Sequence, residues 1–387
     1  MLTTLAVENY RSLRQLVLPL TQLNIVTGAN GTGKSSLYRA LRLLATASRN
    51  GAVAAVARDG GLPATLWAGP EKAGLTRRPA QGGARVKPVA LRLGFAGDTF
   101  GYAMDLGVPP SRPHSAFHLD PEIKGEAVWA GPLLRRSALL VERVGTAVKF
   151  RDGNGWSCVP YQLGPFDSML GTAADPQQAP ELFQLRERMR SWRFYDHLRT
   201  DEGAPARAAR IGTLTPVLGH DGGDLAAALQ TIREIGDGDA LDEAVDRAFP
   251  GSRVEITAHG GLLELTLTQP GLLRPLGAAE VSDGTLRYLL WAAALLTPRP
   301  PELLVLNEPE TSLHPDLIGP LAELIIDAST RTQVITVTHS VQLVGQLGAG
   351  EPQDGKAQTI ELIKDMGETR VADQGILDEP AWHWPQR

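Results

Sequence analysis

Apolar and polar positions alternate over residues 2–8 and 16–20 and run nearly unbroken over 23–27, which predicts three strands, the third feeding a glycine-rich loop. After that loop Leu37, Leu41 and Leu44 recur at helical spacing and predict a helix over 35–47 with one apolar stripe for a sheet. Residues 51–88 lose this periodicity in Ala, Gly, Pro and Arg, as an irregular surface excursion would. Short strands are expected at 89–95, 100–106, 139–143 and 147–151, broken by Gly, Asp and Pro, and they read as an antiparallel region. Helices are expected over 180–199, 225–235 and 239–248, then strands at 254–257 and 262–268. From there the chain alternates helix 284–296, strand 303–306, helix 316–328, strand 333–338, helix 341–347 and strand 358–363, the rhythm of an α/β fold. No internal repeat is visible, and no heptad pattern is sustained, so no long coiled coil is expected.

Composition narrows the class. The 387 residues, 43% of them hydrophobic, suffice for two domains or for one large domain with an insertion. A single cysteine, Cys158, rules out an intrachain disulfide framework and a cysteine-based zinc site, and it suits a reducing compartment. The first residues alternate like a strand and lack the marks of a signal peptide, so a cytoplasmic location is expected. The most apolar run, 288–296, is about half of the ~20 residues that cross a bilayer and reads as a buried helix, so no membrane partner is expected. The formal net charge of −5 excludes a chain coated in basic surface, and nucleic-acid binding must be argued locally.

Four motifs carry chemistry. Gly28-Ala29-Asn30-Gly31-Thr32-Gly33-Lys34-Ser35 matches the phosphate-binding P-loop and sits where it must, between strand and helix. Successive N–H groups from Asn30 to Ser36 would form an anion cradle on the helix N-terminus, with Lys34 reaching the β- and γ-phosphates of ATP and Ser35 ligating Mg²⁺. A chance glycine turn is the plain alternative, and the register of strand, loop and helix argues against it. The apolar strand Leu303-Leu304-Val305-Leu306 ends in Asn307-Glu308-Pro309-Glu310 and looks like a Walker B strand, with Glu308 as general base or water-positioning residue. Asn307 stands where an aspartate usually orders the metal. It can hydrogen-bond a metal-bound water but brings no negative charge, so weaker Mg²⁺ affinity or slower hydrolysis follows.

Val281-Ser282-Asp283-Gly284-Thr285 precedes a helix. Ser282 or Asp283 serves as a simple N-cap there, or Ser282, Asp283 and the Gly284 N–H clasp a γ-phosphate presented by another subunit. Val334-Ile335-Thr336-Val337-Thr338 closes on His339, placed to donate a hydrogen bond to the γ-phosphate or the attacking water.

With these motifs in order, the chain resembles the ABC-type ATPase heads of the SMC, RecF and overcoming-lysogenisation-defect group, and within it the compact bacterial predicted ATPases of the AAA family. The stretches that carry the resemblance are Val7-Glu8-Asn9-Tyr10-Arg11-Ser12-Leu13, the P-loop, Ser282 to Thr285, Asn307 to Pro315 and Thr338-His339-Ser340. The resemblance implies a P-loop NTPase fold of ABC/SMC-head type, a mixed sheet flanked by helices, with an antiparallel β region and an inserted helical lobe. It implies head segments at 1–110 and 276–387 around a lobe at 111–275, and an ATP-dependent homodimer in which Ser282 to Thr285 completes the partner's site. Glu310 to Leu313 would be the D-loop, His339 the switch histidine, and Arg11 would approach the nucleotide. No glutamine stands out as the Q-loop residue, and Glu122 is the candidate in its place. Neither a Toprim nuclease domain nor a long coiled coil has room after His339.

The distance along the chain from Ser35 to Ser282 far exceeds a βαβ crossover, so a lobe is inserted there. In it Arg186, Arg188, Arg190, Arg193 and Arg199 interleave with Trp192, Phe194 and Tyr195, which suits DNA binding or, as the plainer reading, a solvated helix face paired with Glu187 and Asp196. The leading expectation is a slowly hydrolysing, ATP-switched dimer that acts on DNA or a partner effector in DNA repair or phage defence. Alternatives are a regulatory subunit of a nuclease or toxin system without direct DNA action, a small-molecule P-loop kinase, and a transporter ATPase, the last disfavoured by the signature and the N-terminal motif.

Overall fold

The computed structural model describes residues 1–49, 51–69, 90–108, 116–117, 120–152, 155–196, 198–349, 357–375 and 378–385. The chain opens with β1 (Leu2–Tyr10), β2 (Leu13–Pro19), β3 (Leu23–Thr27), α1 (Lys34–Ala47), α2 (Ala52–Arg58) and α3 (Gly61–Thr65). It continues through β4 (Ala90–Gly97), β5 (Phe100–Gly107), β6 (Glu122–Ala130), β7 (Leu139–Val144), β8 (Ala147–Asp152) and β9 (Gly155–Cys158) to α4 (Met169–Thr172) and α5 (Pro180–Ser191). Then come β10 (Arg193–Tyr195), β11 (Arg210–Ile211), α6 (Leu225–Ile235), α7 (Gly238–Ala248), β12 (Arg253–His259), β13 (Leu262–Thr268) and β14 (Leu276–Gly277). The last elements are α8 (Asp283–Leu295), β15 (Leu303–Asn307), α9 (Ile318–Ser329), β16 (Gln333–Val337), α10 (Val341–Ala349), β17 (Ala357–Asp365) and β18 (Glu368–Val371).

These elements make two compact units. The first comprises Met1–Thr21, Gly28–Ser191 and Ile360–Arg387, the second Gln22–Thr27 and Trp192–Thr359. In the first unit an eight-stranded sheet runs in the order β2-β1-β4-β5-β6-β7-β8-β9, antiparallel throughout. Tight packing fixes its middle: a Cβ on Gly101 would lie 2.1 Å from the ring of the fully buried Trp129, so glycine is required there. Trp382 packs edge-on against Trp129 with centroids 5.6 Å apart. A buried ion pair also crosses the sheet, Arg143 Nη1 to Glu126 Oε2 at 3.0 Å, and Tyr102 Oη donates to the other Glu126 oxygen at 2.7 Å. Charges survive burial only when so paired and hydrogen-bonded.

In the second unit four parallel strands lie in the order β10-β15-β16-β3. Their near-continuous apolar sequences suit a sheet covered on both faces. Helix α8 is buried along Tyr288–Leu295, as its unbroken apolar run requires. A smaller antiparallel sheet, β11-β13-β12 with β14 on β13, completes the unit.

The alternating C-terminal elements and the antiparallel region stand where their periodicity puts them, and three expectations are corrected. Residues 52–65 of the supposed irregular excursion form α2 and α3, since Ala-rich sequence favours helix, while 70–88 lie outside the described residues. The helix expected to 199 stops at Ser191, and Arg193–Tyr195 becomes β10, the edge of the parallel sheet. Strands β6, β9, β11, β14 and β18 were not read from the sequence. In β6 the charged Glu122, Lys124 and Glu126 hide the core alternation, because Glu126 points inward to Arg143.

Candidate nucleotide site

The P-loop depends on backbone that only glycine adopts cheaply: Gly28, Gly31 and Gly33 have φ of 142°, 80° and 112°. No side chain caps α1, which starts at Lys34, so the first-turn N–H groups are left to a ligand. Ala29, Asn30, Gly31 and Ser35 are exposed and Ser36 is half-buried, as a site for a soluble anion requires. Thr32 Oγ1 donates to Ala29 O at 2.9 Å. Lys34 Nζ, folded along the loop, donates to Gly28 O at 2.5 Å and Ala29 O at 3.1 Å. This cradle fits the phosphates of a nucleotide.

Arg11, expected to approach the nucleotide, pairs with Asp59 at 3.1 Å, and Tyr10 Oη donates to the same carboxylate at 2.8 Å. Burial first, then the bond to Asp59, pushes the Tyr10 phenol well above its usual range. The next residue, Ser12, turns instead to Thr369. Glu122, the stand-in for a Q-loop glutamine, is ion-paired with Lys124 at 2.8 Å on β6.

In the second unit β3 hands the chain to Gly28. Beside its end, Thr338 N donates to Val26 O at 3.0 Å, and Val337 pairs with Asn307 across the sheet. Thus the ends of β15 and β16 lie level with the end of the strand that precedes the P-loop. Glu308, just past β15, adopts a left-handed φ of 49° and its N–H donates to Val337 O at 2.7 Å. Non-glycine residues persist in that region where their surroundings impose it, most often at functional sites. His339 Nδ1 lies 3.6 Å from Glu308 Oε1 and 3.9 Å from Glu310 Oε1. Glu310, expected in a D-loop, is buried, accepts from Thr338 Oγ1 at 2.5 Å and keeps Oε2 buried without a partner, so its carboxylate faces inward to the histidine strand.

The signature segment shows the capping geometry: Ser282 Oγ accepts from Thr285 N at 3.2 Å. Asp283 is ion-paired with Arg207 Nη2 at 2.5 Å. The same guanidinium, nearly buried, donates to Ala278 O at 2.8 Å and Val281 O at 2.7 Å, and its Nε donates to Thr200 O at 2.9 Å. Arg207 therefore fixes the turn that presents Ser282, Asp283 and Gly284. Asp283, Arg287, Asn307 and Glu308 line one cavity of about 580 Å³ with Asp196 and Arg199. Burial holds the Arg287 guanidinium below its usual range.

Sequence reading missed Arg207, Thr369 and Lys364. Each acts through hydrogen bonds to backbone or to a residue far along the chain, which no local pattern records. No group of three or more His, Cys, Asp or Glu side chains able to hold a metal occurs among the described residues. Ser35 and Asn307, one in each unit, each carry a side-chain oxygen of the kind that Mg²⁺ takes directly or through water.

In the arginine-aromatic stretch the pairing with Glu187 follows the plainer reading, and the aromatics depart from both readings. Trp192, Phe194 and Tyr195 are buried, so they pack the core and present no stacking platform. Arg186 and Arg190 pair with Glu187, at 2.9 and 3.0 Å, and Arg199 pairs with Asp201 at 2.6 Å. No helix among the described residues is long and apolar enough to cross a membrane.

Comparison with family models agrees with an ATPase reading of these motifs. Residues 173–345 match the family model described as "AAA domain, putative AbiEii toxin, Type IV TA system", and residues 1–62 match the "AAA ATPase domain" model. Among solved structures, the chain is similar to an SMC head bound to the C-winged helix domain of ScpA, at 14% identity and a TM-score of 0.48, over 96% of each chain. It is similar also to the SMC head domain from Thermotoga maritima, at 13% identity and a TM-score of 0.47, over 97% of this chain and 99% of that one.

Proposed function

We propose that this chain, which matches AAA ATPase family models over residues 1–62 and 173–345, is an ATPase of the ABC-head kind that binds and slowly hydrolyses ATP and uses the bound nucleotide to join two copies into a switch. The observation that carries the reading is the uncapped N-terminus of α1 behind a glycine loop with three left-handed residues, an anion cradle complete in backbone alone. Lys34 then exchanges its carbonyl partners for phosphate oxygens. Ser35 would offer Mg²⁺ a hydroxyl oxygen and Asn307 an amide oxygen through water, and the ion would neutralise phosphate charge. Glu308 orients and deprotonates the attacking water, and His339, anchored near Glu308 and Glu310, donates a hydrogen bond on the same side. With an amide at Asn307, turnover is slow, and the protein serves as a clamp more than as a motor.

Ser282, exposed at the start of α8, and the N–H of the half-buried Gly284 meet the nucleotide of the second copy. The partner that reads the switch is a separate effector protein of a toxin or nuclease system. Two observations support that choice over DNA: the aromatics of the arginine-rich stretch are in the core, and the matched family model is described by a toxin system. Glu308→Gln tests the switch. With ATP and Mg²⁺ this variant should sediment as a dimer and the nucleotide-free protein as a monomer; a variant that binds ATP and stays monomeric sinks the switch.

A further inference from the structure

A P-loop grips phosphate only while its N–H groups face the ligand and its carbonyls face away, because an inward carbonyl would present negative charge to a polyanion. We propose that the β17–β18 hairpin enforces this sorting, with Thr369 and Lys364 as positioning residues that hold two P-loop carbonyls out of the phosphate site. The inference rests on the ATP-binding reading above and adds to it the part that keeps the cradle open.

The hairpin turns through Met366 and Gly367 with φ of 47° and 87°. Positive φ at both central residues marks the two-residue turn whose twist matches paired strands and fixes their register. That register sets Lys364 directly opposite Thr369, so both side chains leave the same face. Lys364 Nζ donates to Gly31 O at 3.1 Å, and Thr369 Oγ1 donates to Thr32 O at 2.6 Å. A threonine hydroxyl has one proton, and a carbonyl can only accept. The 2.8 Å bond between Thr369 Oγ1 and Ser12 Oγ must therefore be donated by Ser12. Thr369 N in turn donates to Ser12 O at 2.8 Å, and Thr369 is fully buried.

The fit leaves no slack. A Cβ on Gly33 would lie 2.2 Å from Thr369 Oγ1, and one on Gly28 would lie 2.3 Å from Leu362 O. Two glycines of the motif are thus demanded by the hairpin's approach as well as by their φ. Labour is divided between two kinds of donor. Lys34 holds the Gly28 and Ala29 carbonyls and can release them for phosphate, while the hairpin holds the Gly31 and Thr32 carbonyls. Because Ser12 lies in the turn between β1 and β2, the chain Ser12–Thr369–Thr32 also ties the antiparallel sheet to the nucleotide loop.

The test is a titration of the full chain with a fluorescent ATP analogue and Mg²⁺, paired with thermal melts of the nucleotide-free protein. Thr369→Val keeps the volume, removes the hydroxyl and strands both Thr32 O and the Ser12 hydroxyl; it should weaken ATP and ADP binding about tenfold while the melt stays cooperative. Thr369→Ser should restore affinity to within about twofold, which a purely steric role would not require. Lys364→Gln should weaken binding about threefold with the nucleotide-free melting temperature unchanged. A folded Thr369→Val protein that binds ATP as the wild type does overturns the proposal. If that variant fails to fold, Lys364→Gln and Ser12→Ala decide, and unchanged affinity in both overturns it. Wild-type protein that binds no ATP would instead sink the nucleotide reading itself.

Discussion

His339 Nδ1 lies 3.6 Å from Glu308 Oε1, and the carboxylate sits on a backbone held at φ 49° by its N–H bond to Val337. Two neighbouring strand ends thus present one acid and one imidazole at ion-pair distance, with the buried Glu310 behind the histidine. If the pair handles water together, His339→Ala should lower turnover about 10- to 100-fold, within the usual range for a lost proton-handling group, with ATP affinity within about twofold of wild type. The double variant with Glu308→Gln should be no slower than Glu308→Gln alone, since groups acting as a unit are not additive. Steady-state hydrolysis of the two singles and the double decides this, and a His339→Ala enzyme with wild-type turnover removes the histidine from the chemistry.

Asn307 makes a second, opposite prediction. Its amide reaches metal-bound water without contributing charge, whereas a carboxylate there would meet a hard cation with the ligand it prefers. Asn307→Asp should lower the Mg²⁺ concentration for half-maximal hydrolysis by about tenfold and raise turnover. A metal titration at saturating ATP reads both. Unchanged Mg²⁺ dependence would mean that Asn307 does not face the ion.

How much of this was legible in the sequence follows the range of the interactions. Strands β3, β15 and β16 and helix α8 were readable because burial on all sides writes itself as an unbroken apolar run, and the P-loop because its turn demands glycine at fixed spacing. Strand β6 was not, because Glu126 breaks its alternation and only Arg143, far along the chain, makes that carboxylate acceptable inside. Likewise Trp192, Phe194 and Tyr195 carry the same letters whether they stack on a base or fill a core. Only the parallel pairing of Phe194 with Val305 and Tyr195 with Leu306 shows that they fill a core. The hairpin contacts of Thr369 leave no local trace at all, since its partners Ser12 and Thr32 lie at the other end of the chain.

Arg207 yields the third prediction. One guanidinium neutralises Asp283 and takes the carbonyls of Ala278 and Val281, so the turn before α8 is held by a single planar fork. Arg207→Ala should leave ATP affinity within about threefold, because the P-loop is untouched, yet lower hydrolysis and ATP-driven dimerisation by about tenfold or more. Arg207→Lys should fail to rescue, as an ammonium cannot match several acceptors in one plane. Analytical ultracentrifugation with ATP checks the dimer. A variant that dimerises as the wild type does would show that the signature turn needs no such brace.

The fourth prediction concerns alkali. Tyr10, Tyr102, Tyr195 and Tyr288 all have their phenols pushed above the ordinary value of 10.0, in each case first by burial. For Tyr102 the Glu126 carboxylate adds to the effect, by charge and by its hydrogen bond. The sign follows from linkage. A phenol that resists ionisation when folded but ionises near pH 10 when unfolded gives its full stabilisation below pH 10 and loses it as pH rises through the folded value. Above about pH 10 the unfolded chain binds fewer protons than the native one, so unfolding is favoured with each further unit. Absorbance near 295 nm, a wavelength of about the phenolate maximum, should show these four tyrosines ionising together with the loss of structure followed by circular dichroism. Early ionisation of all the tyrosines in a still-folded protein would contradict the buried network around Glu126.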